Sequence, residues 1–295
     1  MFDVVESGIT FYSSFTGQPF PYRQYCQVFV PEHNSFAMQN VGIVTSGVVE
    51  GNEAEYVHTN SPPSSPITFN ESYIWELKEA TLTKRLKFSL CNLHELCHCW
   101  FGNMITFKWW DDLGIDEGIC TFLAHLAMVS SPRLSHFNEA AWLTFLEYKY
   151  WGIGREGFSS CHSVCCKVQK TDMSEILYDG TAYGKCTGFM KQVYKVMGHK
   201  AMSAGFKLYF QRNAYKNSTA DDVVSCLSEA FNSQSPAIDM GPDFNMASWL
   251  RSWLKETSGN VTLEPILEFD QVTGKLTGLK IRQGLGMRGQ NLIKV

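Results

Sequence analysis

The sequence contains no long run of basic residues, and charged residues of both signs make up only 18% of its 295 residues. The 25 Lys and Arg residues are outnumbered by 29 Asp and Glu, which gives a formal net charge of -4. Because phosphate binding depends on clustered Lys and Arg side chains, this charge balance excludes nucleic acid from the expected partners. Hydrophobic residues make up 44%, enough to bury a substantial core.

Long apolar runs are also missing, since no stretch approaches the roughly 20 residues of a membrane-spanning helix. The first residues, MFDVVESGITFYSSF, have acidic side chains where a signal peptide has basic ones. From these two features we expect a soluble chain with no membrane segment.

Cysteine, in contrast, is frequent, with ten residues in the chain. Seven of them fall in two clusters, Cys91, Cys97, Cys99 and Cys120, then Cys161, Cys165 and Cys166. Neighbours at this spacing on one helix cannot all form disulfides, so we predict a reducing, cytoplasmic compartment. Three Asn-X-Ser/Thr sequons, at Asn70, Asn217 and Asn260, argue mildly for secretion, but such sequons often arise by chance.

The pattern of apolar residues predicts an α+β fold. Strands are predicted at 24–32 and 41–49, which are rich in β-branched and aromatic residues, and a proline-containing loop at 58–66. From Leu82 to Phe101 the apolar spacing is that of a long helix. The other predicted helices are 1–16, 111–128, 136–150, 183–197, 199–213, 219–231 and 245–257, with 151–176 irregular.

The character of the sequence changes after residue 258. VTLEPILEFD and KLTGLKIRQ, joined around QVTG, predict a β-hairpin. Two strands alone are marginally stable, so we interpret 1–258 as one domain and 259–295 as a partial β-domain.

Residues 93–103 read LHELCHCWFGN and contain a potential metal site. His94 and His98 are four positions apart, so on a helix both imidazoles lie on one face and can bind the same ion. Glu95 then lies beside the ion without binding it, where its carboxylate can take a proton from water. The alternative is an accidental match on a polar helix face.

A third protein ligand is required, and Glu117 lies nineteen positions after His98. An antiparallel pair of helices would bring its carboxylate to the two histidines. Zinc is the ion that this donor set favours. We interpret Cys97 and Cys99 as small buried residues rather than ligands, and CHSVCC (161–166) as loop thiols, although a second metal site is an alternative for the latter.

The spacing HELCH, eighteen residues, Glu resembles the signature of the zinc aminopeptidase family that includes aminopeptidase N and leukotriene hydrolase, the gluzincins. WFGNMITFKWWDDL, FTGQPFPYRQYCQVFVPE and YDGTAYGKCTGFMKQV are similar to further family segments. The resemblance covers about residues 5–258. It implies a thermolysin-like catalytic domain, with a small mixed sheet and a mainly helical lobe, followed by the start of a β-domain.

The resemblance also implies roles for single residues. His94, His98 and Glu117 would hold zinc, and Glu95 would be the general base. Tyr183 matches the family tyrosine that hydrogen-bonds the tetrahedral oxyanion. From the residues alone, a core tyrosine on a helix face is the competing interpretation of Tyr183.

The substrate strand departs from the family pattern. The family reads GAMEN where this chain has FAMQN (36–40), so Ala37, Met38 and Asn40 match while Gln39 replaces the glutamate that pairs with the substrate α-amine. Phe36 replaces a glycine. Elsewhere, Gly114 replaces a tryptophan and Cys186 a glycine.

The sequence therefore predicts a zinc metallopeptidase that removes N-terminal residues from peptides with a free N-terminus, with Gln39, its neighbours and Glu117 binding the substrate. Two alternatives stay open. One is a catalytically weak or silent family member that serves as a binding or structural subunit, and the other is a zinc hydrolase with a different substrate.

Overall fold

The computed structural model of the chain describes residues 2–31, 37–40, 65–70, 80–257 and 262–284. Its α-helices are α1 (Phe2–Thr16), α2 (Leu82–Cys97), α3 (Leu113–Ser130), α4 (Asn138–Glu156), α5 (Thr187–Asn213), α6 (Ala220–Ser233) and α7 (Met246–Lys255). Its strands are β1 (Tyr25–Val30), β2 (Ala37–Gln39), β3 (Ser65–Asn70), β4 (Thr106–Phe107), β5 (Asn217–Ser218), β6 (Thr262–Phe269) and β7 (Leu276–Gly284). Shorter elements are three 3-10 helices (Trp110–Asp112, Pro132–Phe137, Thr171–Leu177) and a π-helix (Thr181–Cys186). Many helices with small separate sheets agree with the predicted α+β class.

The first three strands form a small mixed sheet in the order β1-β3-β2. The central strand β3 is parallel to β1 and antiparallel to β2, with Gln39 opposite Ile67. Phe69 of β3 packs between Phe29 of β1 and Phe88 of α2, with ring centroids 5.6 and 5.5 Å away. The sheet thus lies against the helix that carries the HELCH motif. The predicted strand 41–49 lies outside the described residues, and the predicted loop 58–66 gives way to β3 from Ser65.

Helix α2 is fixed by buried contacts with α1 and α5. Tyr12 of α1 is fully buried and donates a hydrogen bond of 2.8 Å to the carbonyl of Leu93. Just after α2, the ring of Phe101 packs against Phe206 and Phe210 of α5, at 5.1 and 5.0 Å. Bulky rings that interlock on both sides leave the helix little freedom to shift.

Helix α3 lies in the centre of the fold. All of its residues from Leu113 to Met128 are buried, and most of them are apolar, as expected for a core helix. The segment Trp110–Ser130 is long and apolar enough to cross a membrane by length and composition alone, which the sequence analysis did not anticipate. However, 89% of its most apolar window is buried within the protein, the pattern of a core helix.

Residues 151–176, predicted to be irregular, contain regular structure at both ends. Helix α4 continues to Glu156, and a 3-10 helix forms at Thr171–Leu177. The end of α4 packs backbone to backbone on the π-helix: a Cβ atom on Gly184 would lie 2.3 Å from the carbonyl oxygen of Tyr148, and one on Gly152 would lie 2.4 Å from the backbone nitrogen of Lys185. This long-range contact, absent from the local sequence pattern, extends the helix.

The two helices predicted at 183–197 and 199–213 form one element, α5, with a sharp kink where the prediction had its break. Gly198 has φ 78° and ψ 166°, a conformation open to glycine and strained for other residues. The backbone N–H of Ala237 donates to the carbonyls of Val196 and Met197 at this kink. Helix α6 starts with a capping box, in which the hydroxyl of Thr219 accepts from Asp222 N–H.

Strands β6 and β7 form the predicted antiparallel hairpin. Leu263, Leu267, Leu279 and Ile281 are each about half exposed. Leu267 lies directly opposite Leu279, so these two side chains share one face of the ladder. The hairpin therefore leaves much of its apolar surface exposed among the described residues.

A buried ion pair ties the π-helix to α4. Lys185 Nζ lies 2.8 Å from Glu156 Oε1, and the two side chains are only 8% and 5% exposed. We predict that Lys185→Met lowers the free energy of unfolding by about 3–5 kcal/mol, since Glu156 would stay buried and charged without a partner. Urea unfolding measures this loss.

The exposed pair Lys87–Glu147, at 3.2 Å, supplies the control. Lys87→Met should cost about 0–1 kcal/mol, because water already screens that pair. The double variant Lys185→Met/Glu156→Met should recover much of the loss. Equal losses for Lys185→Met and Lys87→Met would contradict the prediction.

Candidate metal centre

Helices α2 and α3 bring three donor atoms together. His94 Nε2 lies 3.2 Å from His98 Nε2, and Glu117 Oε2 lies 3.2 and 3.4 Å from these two nitrogens. His94 also reaches Thr121 while His98 reaches Glu117, so the two helices run antiparallel. The structure thus brings together the three residues that the sequence singled out.

Each imidazole ring is oriented by a partner at its other nitrogen. His98 Nδ1 lies 3.0 Å from the carbonyl oxygen of Phe101, which can only accept, so this nitrogen carries a proton. His94 Nδ1 lies 3.2 Å from Thr121 Oγ1, which accepts when that nitrogen is protonated. When the rings are neutral and in this tautomer, the Nε2 lone pairs face Glu117.

The three atoms fit a metal ion. Two nitrogen lone pairs and a carboxylate oxygen within 3.4 Å repel one another unless a cation lies between them. Glu117 Oε2 is buried and receives no well-directed hydrogen bond, although both histidines are close. Tetrahedral ions with bonds of about 2.0–2.2 Å separate their ligands by about 3.3–3.6 Å, close to the distances seen here.

The charges of these side chains also shift the pKa values of His98 and Glu117. Burial lowers the pKa of His98, but the carboxylate of Glu117, with Asp116 and Glu95 behind it, outweighs burial and raises that pKa to about 10. Burial raises the pKa of Glu117, whereas His98 and His94 hold it well below its usual range. The carboxylate of Glu117 is therefore ionised and attracts positive charge to this point.

Glu95 lies next to the cluster and is only 6% exposed. Its carboxylate is close enough to contribute to the raised pKa values of both His98 and Tyr183. It is not one of the three converging donors His94, His98 and Glu117.

Tyr183 approaches from the π-helix, and its ring centroid lies 6.0 Å from that of His94. Burial, together with the carboxylates of Glu117 and Glu95, raises the pKa of its phenol far above the usual range. The group is therefore a protonated donor at all physiological pH values. The sequence pattern predicted an α-helix from 183, and the structure has a π-helix, an element common at functional sites.

The segment Ala37–Asn40 lies beside the motif helix. Ala37–Gln39 form β2, which contacts α2, and Gln39 and Asn40 are half-buried while Met38 is 42% exposed. Asn40 Nδ2 donates to the carbonyl of Met38 and to Thr68 Oγ1, so its side chain holds the strand end in place. Phe36 lies outside the described residues.

Three side chains of α3 that surround the histidines were not predicted from the sequence. Asp116 Oδ2 lies 3.7 Å and Cys120 Sγ 3.4 Å from His98 Nδ1, while Thr121 contacts His94. Burial raises the pKa of Asp116 to about 6, opposed by His98. Cys120 and Thr121 lie three and four positions after Glu117, a helical spacing that could have revealed both.

The cysteines are all free thiols. Cys97 and Cys99 are fully buried, in agreement with their interpretation as small buried residues. The CHSVCC segment is held by its backbone, since Cys165 N–H donates to Leu254 and Cys166 N–H to Asp111.

Two departures from the family pattern suit their surroundings. At Gly114 a Cβ atom would lie 2.5 Å from the carbonyl oxygen of Val164, so a larger residue has no room. Cys186 packs on Gly118, and a Cβ atom on Gly118 would lie 2.3 Å from the Sγ atom of Cys186. Neither change reaches the three converging donors.

Comparison with known proteins adds a family assignment to this geometry. The peptidase family M1 domain matches residues 64–253. The chain is 28% identical to aminopeptidase N of Streptomyces lividans over 96% of its own length and 29% of the relative's. It is 25% identical to leucyl aminopeptidase of Saccharolobus solfataricus, over 84% of the chain and 27% of the relative. It is 22% identical to aminopeptidase M1-A of Oryza sativa, over 77% of the chain and 23% of the relative. The chain spans less than a third of the length of these relatives.

Proposed function

Because the chain belongs to peptidase family M1, we propose that it is a zinc metallopeptidase that removes N-terminal residues from peptides. The observation that carries the proposal is the convergence of His94, His98 and Glu117 within 3.4 Å. The relatives named as aminopeptidases support a peptide substrate with a free N-terminus. Because the chain covers only part of those relatives, the aminopeptidase activity of the whole protein is itself a proposal.

Zinc is the metal proposed for this donor set, two imidazole nitrogens and one carboxylate oxygen. Held by His94, His98 and Glu117, it would lower the pKa of a nearby water molecule and polarise the peptide carbonyl. Glu95, buried beside this point, accepts the proton of the attacking water and passes it to the leaving amine. Burial strengthens the electrostatic interactions of this carboxylate, because little solvent screens its charge.

Tyr183 stabilises the oxyanion that forms on the substrate carbonyl. Its phenol stays protonated, and its ring centroid lies 6.0 Å from that of His94. Donors already aimed at developing charge lower the barrier without reorganising during the reaction. Tyr183 therefore acts in the transition state more than in substrate binding.

The substrate chain is placed along β2 in this proposal. Ala37, Met38 and Asn40 would line the peptide, and Gln39 would face its α-ammonium group together with Glu117. A neutral amide holds an ammonium group less strongly than a carboxylate does, because hydrogen bonds to charged groups contribute about 1.5–3 kcal/mol against about 0.5–1.5 for neutral pairs.

We predict that Gln39→Glu raises kcat/KM for free aminoacyl anilides about tenfold, since a carboxylate would add about 1.4 kcal/mol of anchoring. N-acetylated anilides, which have no ammonium group, should gain nothing. Steady-state kinetics with both substrates measures the difference. Gln27→Glu, in β1 of the same sheet, is the matched control and should leave the ratio unchanged.

If the bulk of Phe36 fills the amine pocket, a carboxylate at position 39 has no ammonium group to meet. For that reason Gln39→Glu is also prepared together with Phe36→Gly. If both variants turn over free anilides no faster than the parent while zinc is bound, Gln39 does not face the substrate amine.

The function itself is tested by measuring bound zinc together with turnover of aminoacyl anilides, free and N-blocked. The proposal expects one zinc per chain and turnover that favours free N-termini. Zinc without any turnover would support a silent subunit, and equal turnover of blocked substrates would support a hydrolase of another class.

We further propose that residues 1–258 form a thermolysin-like catalytic domain and that the hairpin β6–β7 begins a β-domain. The exposed apolar side chains of the hairpin support this division. Limited proteolysis near residue 258 tests the boundary.

Ten free cysteines support a cytoplasmic location, because thiols persist in reducing compartments.

A further inference from the structure

Asp179 stands at the start of the π-helix that carries Tyr183. Its Oδ1 accepts a hydrogen bond of 2.7 Å from Thr181 N–H, and its carbonyl oxygen accepts one of 3.0 Å from Tyr183 N–H. One residue thus binds two backbone donors at the first turn, including that of Tyr183 itself. Such caps fix where a helix begins and the direction in which its first side chains point.

Asp179 is itself held by two cationic side chains. Arg155 Nε donates to Asp179 Oδ2, and His162 Nε2 lies 3.3 Å from the same oxygen. Arg155 also donates to the hydroxyl and carbonyl of Ser160, at 2.9 and 3.0 Å, and all three charged side chains are no more than 21% exposed. Arg155, His162 and Asp179 form what we name the Asp179 cluster, which joins α4, the following loop and the π-helix.

Trp151 of α4 also packs on the segment that carries Tyr183. The ring of Trp151 stacks on that of Tyr183 with centroids 5.9 Å apart and planes 8° apart. A Cβ atom on Gly180 would lie 2.6 Å from the carbonyl oxygen of Trp151. These close contacts keep the segment from moving toward α4, and the Asp179 cluster ties the start of the segment to the same helix.

We infer that Asp179 is a positioning residue, which through its cap and its bonds to Arg155 and His162 fixes the Tyr183 phenol at the metal cluster. The geometric part of this inference stands alone, whereas its effect on catalysis rests on the proposed function. A displacement of about 1 Å in a reacting group can cost about 10²-fold in rate.

The kinetic test compares Asp179→Ala with Asp222→Ala, which removes a similar capping carboxylate from α6. Asp179→Ala should lower kcat about 10²-fold with little change in KM and full zinc content. Asp179→Asn keeps an acceptor for Thr181 N–H and should recover part of the loss. Asp222→Ala should leave kcat unchanged.

A double-variant cycle separates positioning from general destabilisation. In a Tyr183→Phe background, Asp179→Ala should have no further effect, because it acts through the missing hydroxyl. Equal losses of kcat in both backgrounds, or an equal loss from Asp222→Ala, would overturn the inference.

A structural readout covers the case in which the wild-type protein turns over no peptide. Protein labelled with 5-fluorotryptophan gives a ¹⁹F resonance for Trp151, assigned with Trp151→Phe, and the stacked Tyr183 ring shifts it. Asp179→Ala should move this resonance toward its position in Tyr183→Leu, and Asp222→Ala should not. An unmoved resonance in Asp179→Ala overturns the inference, whereas a moved one beside an inactive wild type overturns only the proposed function.

Discussion

Glu95→Gln should lower kcat about 10²–10⁴-fold while the protein keeps its full complement of zinc. Glutamine has the size and shape of glutamate, so the packing of this buried position on α2 is preserved. However, the amide cannot take a proton from water or return one to a leaving amine. The measurement combines steady-state turnover of an aminoacyl anilide with metal analysis of the same sample.

Glu147→Gln is the matched control, because Glu147 is an exposed glutamate of α4 that pairs only with Lys87 among the described residues. Its turnover should equal that of the wild type. If Glu95→Gln also keeps the wild-type rate, Glu95 is not the base, and another carboxylate near the cluster must be considered.

His98→Ala should remove most of the bound zinc and, with it, all measurable peptidase activity. The variant deletes one of three converging donors and leaves His94 and Glu117, too few ligands for a stable site. Elemental analysis after dialysis against a weak chelator gives the zinc content directly. The effect on activity should exceed that of any single substitution outside the ligand set.

His136→Ala provides the control, since His136 is exposed on the 3-10 helix before α4. It should keep one zinc per chain. Stoichiometric zinc in a His94→Ala/His98→Ala double variant would contradict the assignment. The cysteines would then be tested as ligands, beginning with Cys120 beside the His98 ring.

Sequence spacing was sufficient to predict which three donors converge, because their convergence depends on simple helix geometry. His94 and His98 follow from one helical turn, and Glu117 follows from a helix pair with a short connection. The caps at Thr219 and Asn245 are local features as well. In each case the determining contacts lie within one turn of helix or between two helices that are consecutive in the chain.

Features set by distant contacts were not predicted. The π-helix around Tyr183 and the extension of α4 to Glu156 depend on each other, through the close approach of Gly152 and Gly184. Apolar periodicity carries no signal for such a contact. Cys120 was overlooked at the His98 ring for a related reason, since a buried cysteine has the same apolar signature whether it faces a histidine or the core.

The antiparallel pairing of α2 and α3 also has a consequence for the order of folding. All three donor atoms come from one helical hairpin, so a short chain closure brings them together at a small cost in entropy. Tyr183 and β2 reach the cluster only through contacts between parts of the chain that are far apart in sequence. During refolding, the ability to capture a metal ion should therefore arise before the ability to cleave a peptide.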